Sequence, residues 1–146
     1  MDEAEARRRD RILRTYLLAR DWDRDRERRL CRVLAERSHN LLPEHPYIVG
    51  YEWEAFSDDV NGDRGDLLFV DGRGRFAVVE VKQVDGANKR NDARRKVEEQ
   101  AQKFARVVQG LYPGAQVSAW VFTDDRDARH IGREGLRLAE KPMEGW

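Results

Sequence analysis

The sequence predicts an α/β domain: a small mixed β-sheet, a hairpin meander plus one crossover strand, flanked by α-helices. Three observations predict it. Apolar residues recur at helical steps up to Leu42, the period switches to two from Tyr47, and an amphipathic helix separates two short apolar strands after Arg75. Strand, helix and strand in that order form a crossover with the two strands parallel. The 146 residues make one domain. Residues 1–22 form an N-terminal helical extension and residues 124–146 a C-terminal one.

Each element has a local cause. Residues 1–20 carry Ile12, Leu13, Tyr16 and Leu17 as an apolar helical stripe among arginines. A second helix spans about Asp23 to Leu42, with Asp21, Asp23 and Asp25 as N-cap candidates, Leu30, Val33, Leu34 and Leu41 as its stripe, and Pro43 ending it. With no Gly or Pro between them, the two also fit one longer helix. Tyr47, Val49, Tyr51, Trp53 and Ala55 alternate with Glu52 and Glu54, which predicts a strand with the acids on its other face. Ser57 to Gly65 is turn chemistry. Asp66–Asp71 and Arg75–Gln83 form a hairpin across Gly72-Arg73-Gly74. Asn88–Gln109 is a helix with Gly110 at its C′ position, and Gln116–Thr123 is a strand. The tail reads as a weak helix and a loose end.

Composition narrows the function classes. Lys plus Arg and Asp plus Glu are both 28, so the net charge is zero, which excludes a uniformly basic nucleic-acid coat or an acidic tail protein. Resolved along the chain, residues 1–46 carry +2, 47–71 carry −6, 72–109 carry +5 and 110–146 carry −1. A single cysteine, Cys31, excludes an internal disulfide, and there is no Cys/His cluster for structural zinc. No apolar run suits a signal or membrane segment, so the expected setting is intracellular, cytoplasmic or nuclear.

The chemistry centres on the hairpin. Glu80 and Lys82 lie two apart on a strand and therefore project from one face. A three-residue loop with Gly74 in the left-handed position pairs Asp71 with Arg75, which brings Asp66 opposite Glu80 with Cβ atoms roughly 5 Å apart. Like charges so placed destabilise a sheet unless a cation lies between them, and Mg²⁺ or Mn²⁺ takes such oxygen ligands. The chain has 23 Arg and 5 Lys, so a lysine beside this pair is a selective choice, and lysine is the basic residue suited to proton work. His39, His45 and His130 are too scattered to be ligands, and Ser57 and Ser118 have no partners for a triad.

Gly65-Asp66 followed by Glu80-Val81-Lys82 on a hairpin between helices resembles the PD-(D/E)XK nuclease superfamily, the restriction-endonuclease-like fold, over about residues 23–123. The resemblance implies a metal-dependent DNA nuclease in which Asp66 and Glu80 hold Mg²⁺ or Mn²⁺ and Lys82 assists the attacking water. It also implies an acid on the preceding helix, for which Glu36 is chosen, with Glu52 and Glu54 competing. Gly65 stands where the motif has proline. Lys89, Lys96, Gln100 and Lys103 share one flank of the following helix, and the resemblance singles out Gln100 as a site residue. Arg90 and Arg94 extend that flank into a DNA phosphate track with Lys89, Lys96 and Lys103. A chain this short has little room for a target-recognition domain, so the expectation is structure-selective cutting, a homodimer, or a larger complex that supplies specificity. The alternative is a nuclease-fold domain that binds nucleic acid or a protein without cutting.

Overall fold

The computed structural model describes residues 1–20, 22, 26–54, 64–83, 90–123 and 136–139. The chain begins with α1 (Glu3–Ala19), whose N-cap Asp2 accepts a hydrogen bond from the Glu5 N–H at 2.8 Å. Arg20 leaves the helix in extended geometry, so α2 (Arg26–Leu41) is a separate helix and not a continuation. The proposed caps Asp21, Asp23 and Asp25 lie outside the described residues. Then follow β1 (Tyr47–Glu54), β2 (Arg64–Val70), β3 (Arg75–Lys82), α3 (Arg90–Leu111), β4 (Gln116–Thr123) and β5 (Leu136–Leu138).

The five strands form one sheet in the order β1-β2-β3-β4-β5. β1, β2 and β3 are antiparallel neighbours, β4 is parallel to β3, and β5 returns antiparallel to β4. The mixed sheet with one crossover strand is the predicted architecture. In the tail the described residues contain a strand, β5, that the sequence reading did not anticipate; the weak helix and loose end expected in 124–146 otherwise lie outside the described residues.

Helices cover both faces. Leu17 of α1 and Leu30, Cys31, Leu34 and Ala35 of α2 pack on Leu67, Phe69, Ala77, Val79 and Val81, while Phe104 and Val108 of α3 pack on Val70, Phe76 and Val78 opposite. The N-terminal half of α3 joins a smaller cluster, in which Val97 and Ala101 meet Val121. α1, expected as part of an N-terminal helical extension, packs on the sheet through buried Ala6 and Leu17. Of its predicted stripe, Leu17 is buried, whereas Ile12 and Tyr16 stay 69% and 38% exposed. α3 runs through Gly110 to Leu111. The Tyr112 N–H donates to the Val108 carbonyl at 2.9 Å, and the Gln109 amide donates to the carbonyls of Tyr112, Pro113 and Ala115 in the turn that follows, so Gly110 lies inside the helix and is not the C′ residue. Among the described residues no helix is long and apolar enough to cross a membrane.

Candidate active site

The hairpin forms in the predicted register. Leu67 faces Val79, Phe69 faces Ala77 and Val70 faces Phe76, which continues to Asp71 and Arg75 across the loop, where the Asp71 N–H donates to the Arg75 carbonyl at 3.2 Å. Gly72 and Gly74 have φ of 81° and 111°, values that favour glycine, and Asp71 Oδ1 accepts from the Arg73 and Arg75 N–H groups.

At the other end the backbone ladder stops at Leu67 and Val79, and two carboxylates take over. The Asp66 N–H donates to Glu80 Oε2 at 2.6 Å, and the Val81 N–H donates to Asp66 Oδ2 at 2.8 Å. Each acid thus fastens the opposing strand, and the two acids meet. Glu80 is 1% exposed. Burial pushes the Glu80 carboxyl well above the usual carboxylate range, and the Asp66 charge pushes it further. Burial also raises Asp66; the Val81 N–H offsets part of the rise, and the charges of Glu27 and Glu52 add to it.

Gly65 has a steric role in this arrangement. A Cβ there would lie 2.2 Å from the Trp53 ring, so any side chain, the motif's proline included, would collide with the indole that covers the backbone next to Asp66. Trp53 is held in turn by Phe104, ring centroids 5.5 Å apart. Among the described residues, Trp53 Nε1 and Thr123 Oγ1 are buried without a hydrogen-bond partner, and Thr123 is the β4 register partner of Lys82.

The helical acid at the pair is Glu27, not Glu36. Lys82 Nζ lies 3.3 Å from Glu27 Oε1, and Glu27 is one of the charges that raise Asp66. Glu36 is exposed, nine residues or roughly 13 Å further along α2. The buried stripe of α2 contains Leu30, Cys31, Leu34, Ala35 and Ser38. Glu27 precedes Cys31 by four and Leu34 by seven, so it extends that stripe to the first turn, whereas Glu36 falls off it. That periodicity was the signal for Glu27. Cys31 is also at the site: burial and the charges of Asp66, Glu80, Glu52 and Glu27 together raise its thiol pKa.

Of the competing acids, Glu52 takes part. It has a left-handed φ of 47° between the Tyr51–Leu67 and Trp53–Gly65 pairs, and it meets Arg28 at 3.2 Å. The Glu54 side chain lies outside the described residues. The predicted single aromatic face of β1 is corrected as well. A register shift between Ile48 and Gly50, followed by the Glu52 twist, turns Tyr51 to the α2 side while Tyr47, Val49 and Trp53 pack on the α3 side.

On α3, Val97 and Ala101 pack on Val121, the register partner of Glu80, so this turn crosses the sheet at the level of the carboxylate pair. Lys96 and Gln100 are exposed there. The buried glutamine of α3 is instead Gln102, which donates to the Ala139 carbonyl at 2.5 Å. Lys103 is half-buried, with its ammonium 5.8 Å from the Phe104 ring centroid. Arg90 and Arg94 lie on α3 with side chains outside the description, and Lys89 lies outside the described residues altogether.

Among the described residues no group of three or more His, Cys, Asp and Glu is gathered for a metal ion. Two oxygen donors fit a hard divalent cation nonetheless, because Mg²⁺ keeps several waters and takes one or two protein carboxylates. The donor chemistry suits Mg²⁺ or Mn²⁺ and not a thiophilic metal. No protein-family model, curated protein or solved structure matches the chain.

Proposed function

We propose that the chain is a divalent-metal-dependent nuclease that hydrolyses DNA phosphodiester bonds at Asp66, Glu80 and Lys82. One observation carries this reading: a buried carboxylate, Glu80, and a half-buried one, Asp66, meet at the end of a strand pair, each raised in pKa by desolvation, with a lysine two residues beyond Glu80 on the same strand. Two such groups are costly together unless a cation shares them. A Mg²⁺ ion held by Asp66 and Glu80 would lower the pKa of a water and neutralise charge on the scissile phosphate.

The chain's own groups supply the rest. Lys82 holds the attacking water by a hydrogen bond and offsets negative charge as the water oxygen bonds to phosphorus and the bond to the leaving sugar oxygen breaks. Glu27 fixes the Lys82 ammonium at the mouth of the site and is an acceptor for the proton that the water loses. Glu52 and Arg28 form the adjoining wall. Lys96 on α3 is a phosphate contact beside the pair, as Lys89, Arg90, Arg94 and Lys103 are by their place on that flank in the sequence.

The test is cleavage of duplex, flap, junction and single-stranded DNA, and of RNA, across a Mg²⁺ and Mn²⁺ titration. Cutting that requires metal, and that falls at least about 100-fold in Asp66→Ala and Glu80→Ala while the circular dichroism spectrum is kept, is the expected result. Salt-sensitive binding with no cleavage at any metal concentration would replace this reading with that of a nuclease-fold domain that binds and does not cut.

A further inference from the structure

Beside the carboxylate pair, on the α1 and α2 side of the sheet, lies a run of aromatic rings that the proposed chemistry does not use. Tyr51 faces Leu67 in the β1–β2 register, and its phenol lies within electrostatic reach of Cys31, the thiol on which the Asp66 and Glu80 charges also act. The Tyr16 ring of α1 lies 6.0 Å from that of Tyr51 and 6.2 Å from that of Trp22. Arg20, one turn beyond Tyr16, places its guanidinium 3.7 Å from the Tyr16 ring centroid. Arg28 sits 5.7 Å from the Trp22 ring and joins the group to Glu52 at the site.

We propose that Tyr51, Tyr16 and Arg20 form a stacking platform for an unpaired nucleobase, so that the site takes single-stranded DNA or a strand with unpaired bases next to the scissile phosphate. This substrate assignment rests on the nuclease reading above. Two features of α1 support it. Tyr16 is 38% exposed and Ile12, one turn earlier, is 69% exposed, on a helix whose other exposed positions are mainly charged or small. Arg20 presents a flat cation on the ring, the group that stacks on bases and also meets phosphate. Aromatic rings with flanking arginines beside a phosphate-directed site are the usual means of holding single strands without reading sequence. A paired base in a duplex has both faces covered by its neighbours and offers such a platform nothing.

The experiment is fluorescence anisotropy with Ca²⁺ replacing Mg²⁺, using fluorescein-labelled oligothymidylate, an abasic strand of the same length, and a blunt DNA hairpin. The wild-type chain binds oligothymidylate about tenfold more tightly than the abasic strand. Tyr16→Ala erases that difference, Tyr16→Trp keeps it, and neither changes hairpin binding. Equal binding of the two single strands by the wild-type chain overturns the platform. So does a Tyr16→Ala variant that keeps the difference, or one that loses all three probes together. Cleavage of the same probes in Mg²⁺ separates this idea from the one beneath it. A chain that discriminates bases through Tyr16 and cuts nothing retains the platform and loses the nuclease reading. A chain that cuts but is indifferent to Tyr16 does the reverse.

Discussion

At the scale of single residues, Asp66 and Glu80 link stability to pH and, under the proposed function, to cations. Both carboxyls have pKa values above those they have in the unfolded chain, chiefly through burial. A group raised on folding stabilises fully below its unfolded pKa, and the contribution fades as pH climbs through the folded value. In EDTA the chain should therefore lose about 5 °C of melting temperature between about pH 5 and about pH 8. Added Mg²⁺ should restore more at the upper pH than at the lower, since binding must displace protons. His45, whose pKa burial lowers, acts in the opposite direction below about 6.5, so the comparison that isolates the pair is Glu80→Gln. That variant should flatten the alkaline limb and lose the metal-induced shift. An identical pH profile and metal response in wild type and Glu80→Gln, followed by differential scanning fluorimetry, would show that the pair does not bind the ion.

At the scale of elements, what was legible in the sequence was what local pattern controls. Gly72 and Gly74 set the loop, the loop sets the register, and the register brings Asp66 to Glu80. What was not legible depended on longer-range packing. The Ile48/Gly50 register shift and the twist at Glu52 break an alternation that is regular in one dimension, and only the partner strand reveals them. Glu27 stands out over Glu36 only when the buried stripe of α2 is extended backward to its first turn. The place of α1 depends on long-range contacts as well. Its Asp10 accepts the Ile48 N–H of the β1 edge at 2.9 Å and pairs with Arg14 at 2.7 Å. Arg14 also donates to the Ala35 carbonyl, to Ser38 Oγ at 3.0 Å and to the Pro46 carbonyl at 3.1 Å. One guanidinium therefore ties α1 to α2 and to the entry of β1, with its side chain 18% exposed. Arg14→Ala should cost about 3 kcal/mol in urea denaturation, and Arg14→Lys, which lacks the planar fork, about half that. A loss below about 0.5 kcal/mol for Arg14→Ala would mean that α1 is held by its apolar contacts alone.

At the scale of the molecule, zero net charge conceals two opposed regions brought together by folding. The segment with −6 holds Asp66 and Glu52, and the segment with +5 holds Lys82 and α3. The crossover carries α3 over the sheet so that its Val97–Ala101 turn lies at the level of Glu80, and Lys96 reaches solvent beside it. Under the proposed function, a strand drawn toward Asp66 and Glu80 would meet positive charge on this helix, a contact with phosphate that is indifferent to base identity and to pairing. Lys96→Ala should therefore weaken binding of oligothymidylate and of the blunt hairpin alike, and should lower the slope of log K against log salt by about one. Gln100→Ala, a neutral change on the same exposed turn, should leave that slope unaltered. The contrast with Tyr16 is the informative part: the proposed α1 platform would discriminate unpaired bases at fixed salt, whereas the α3 flank would change salt dependence without discrimination. If Lys96→Ala left the slope unchanged on both probes, the +5 segment would be a solvated helix face, and strand attraction would have to come from α1 and α2.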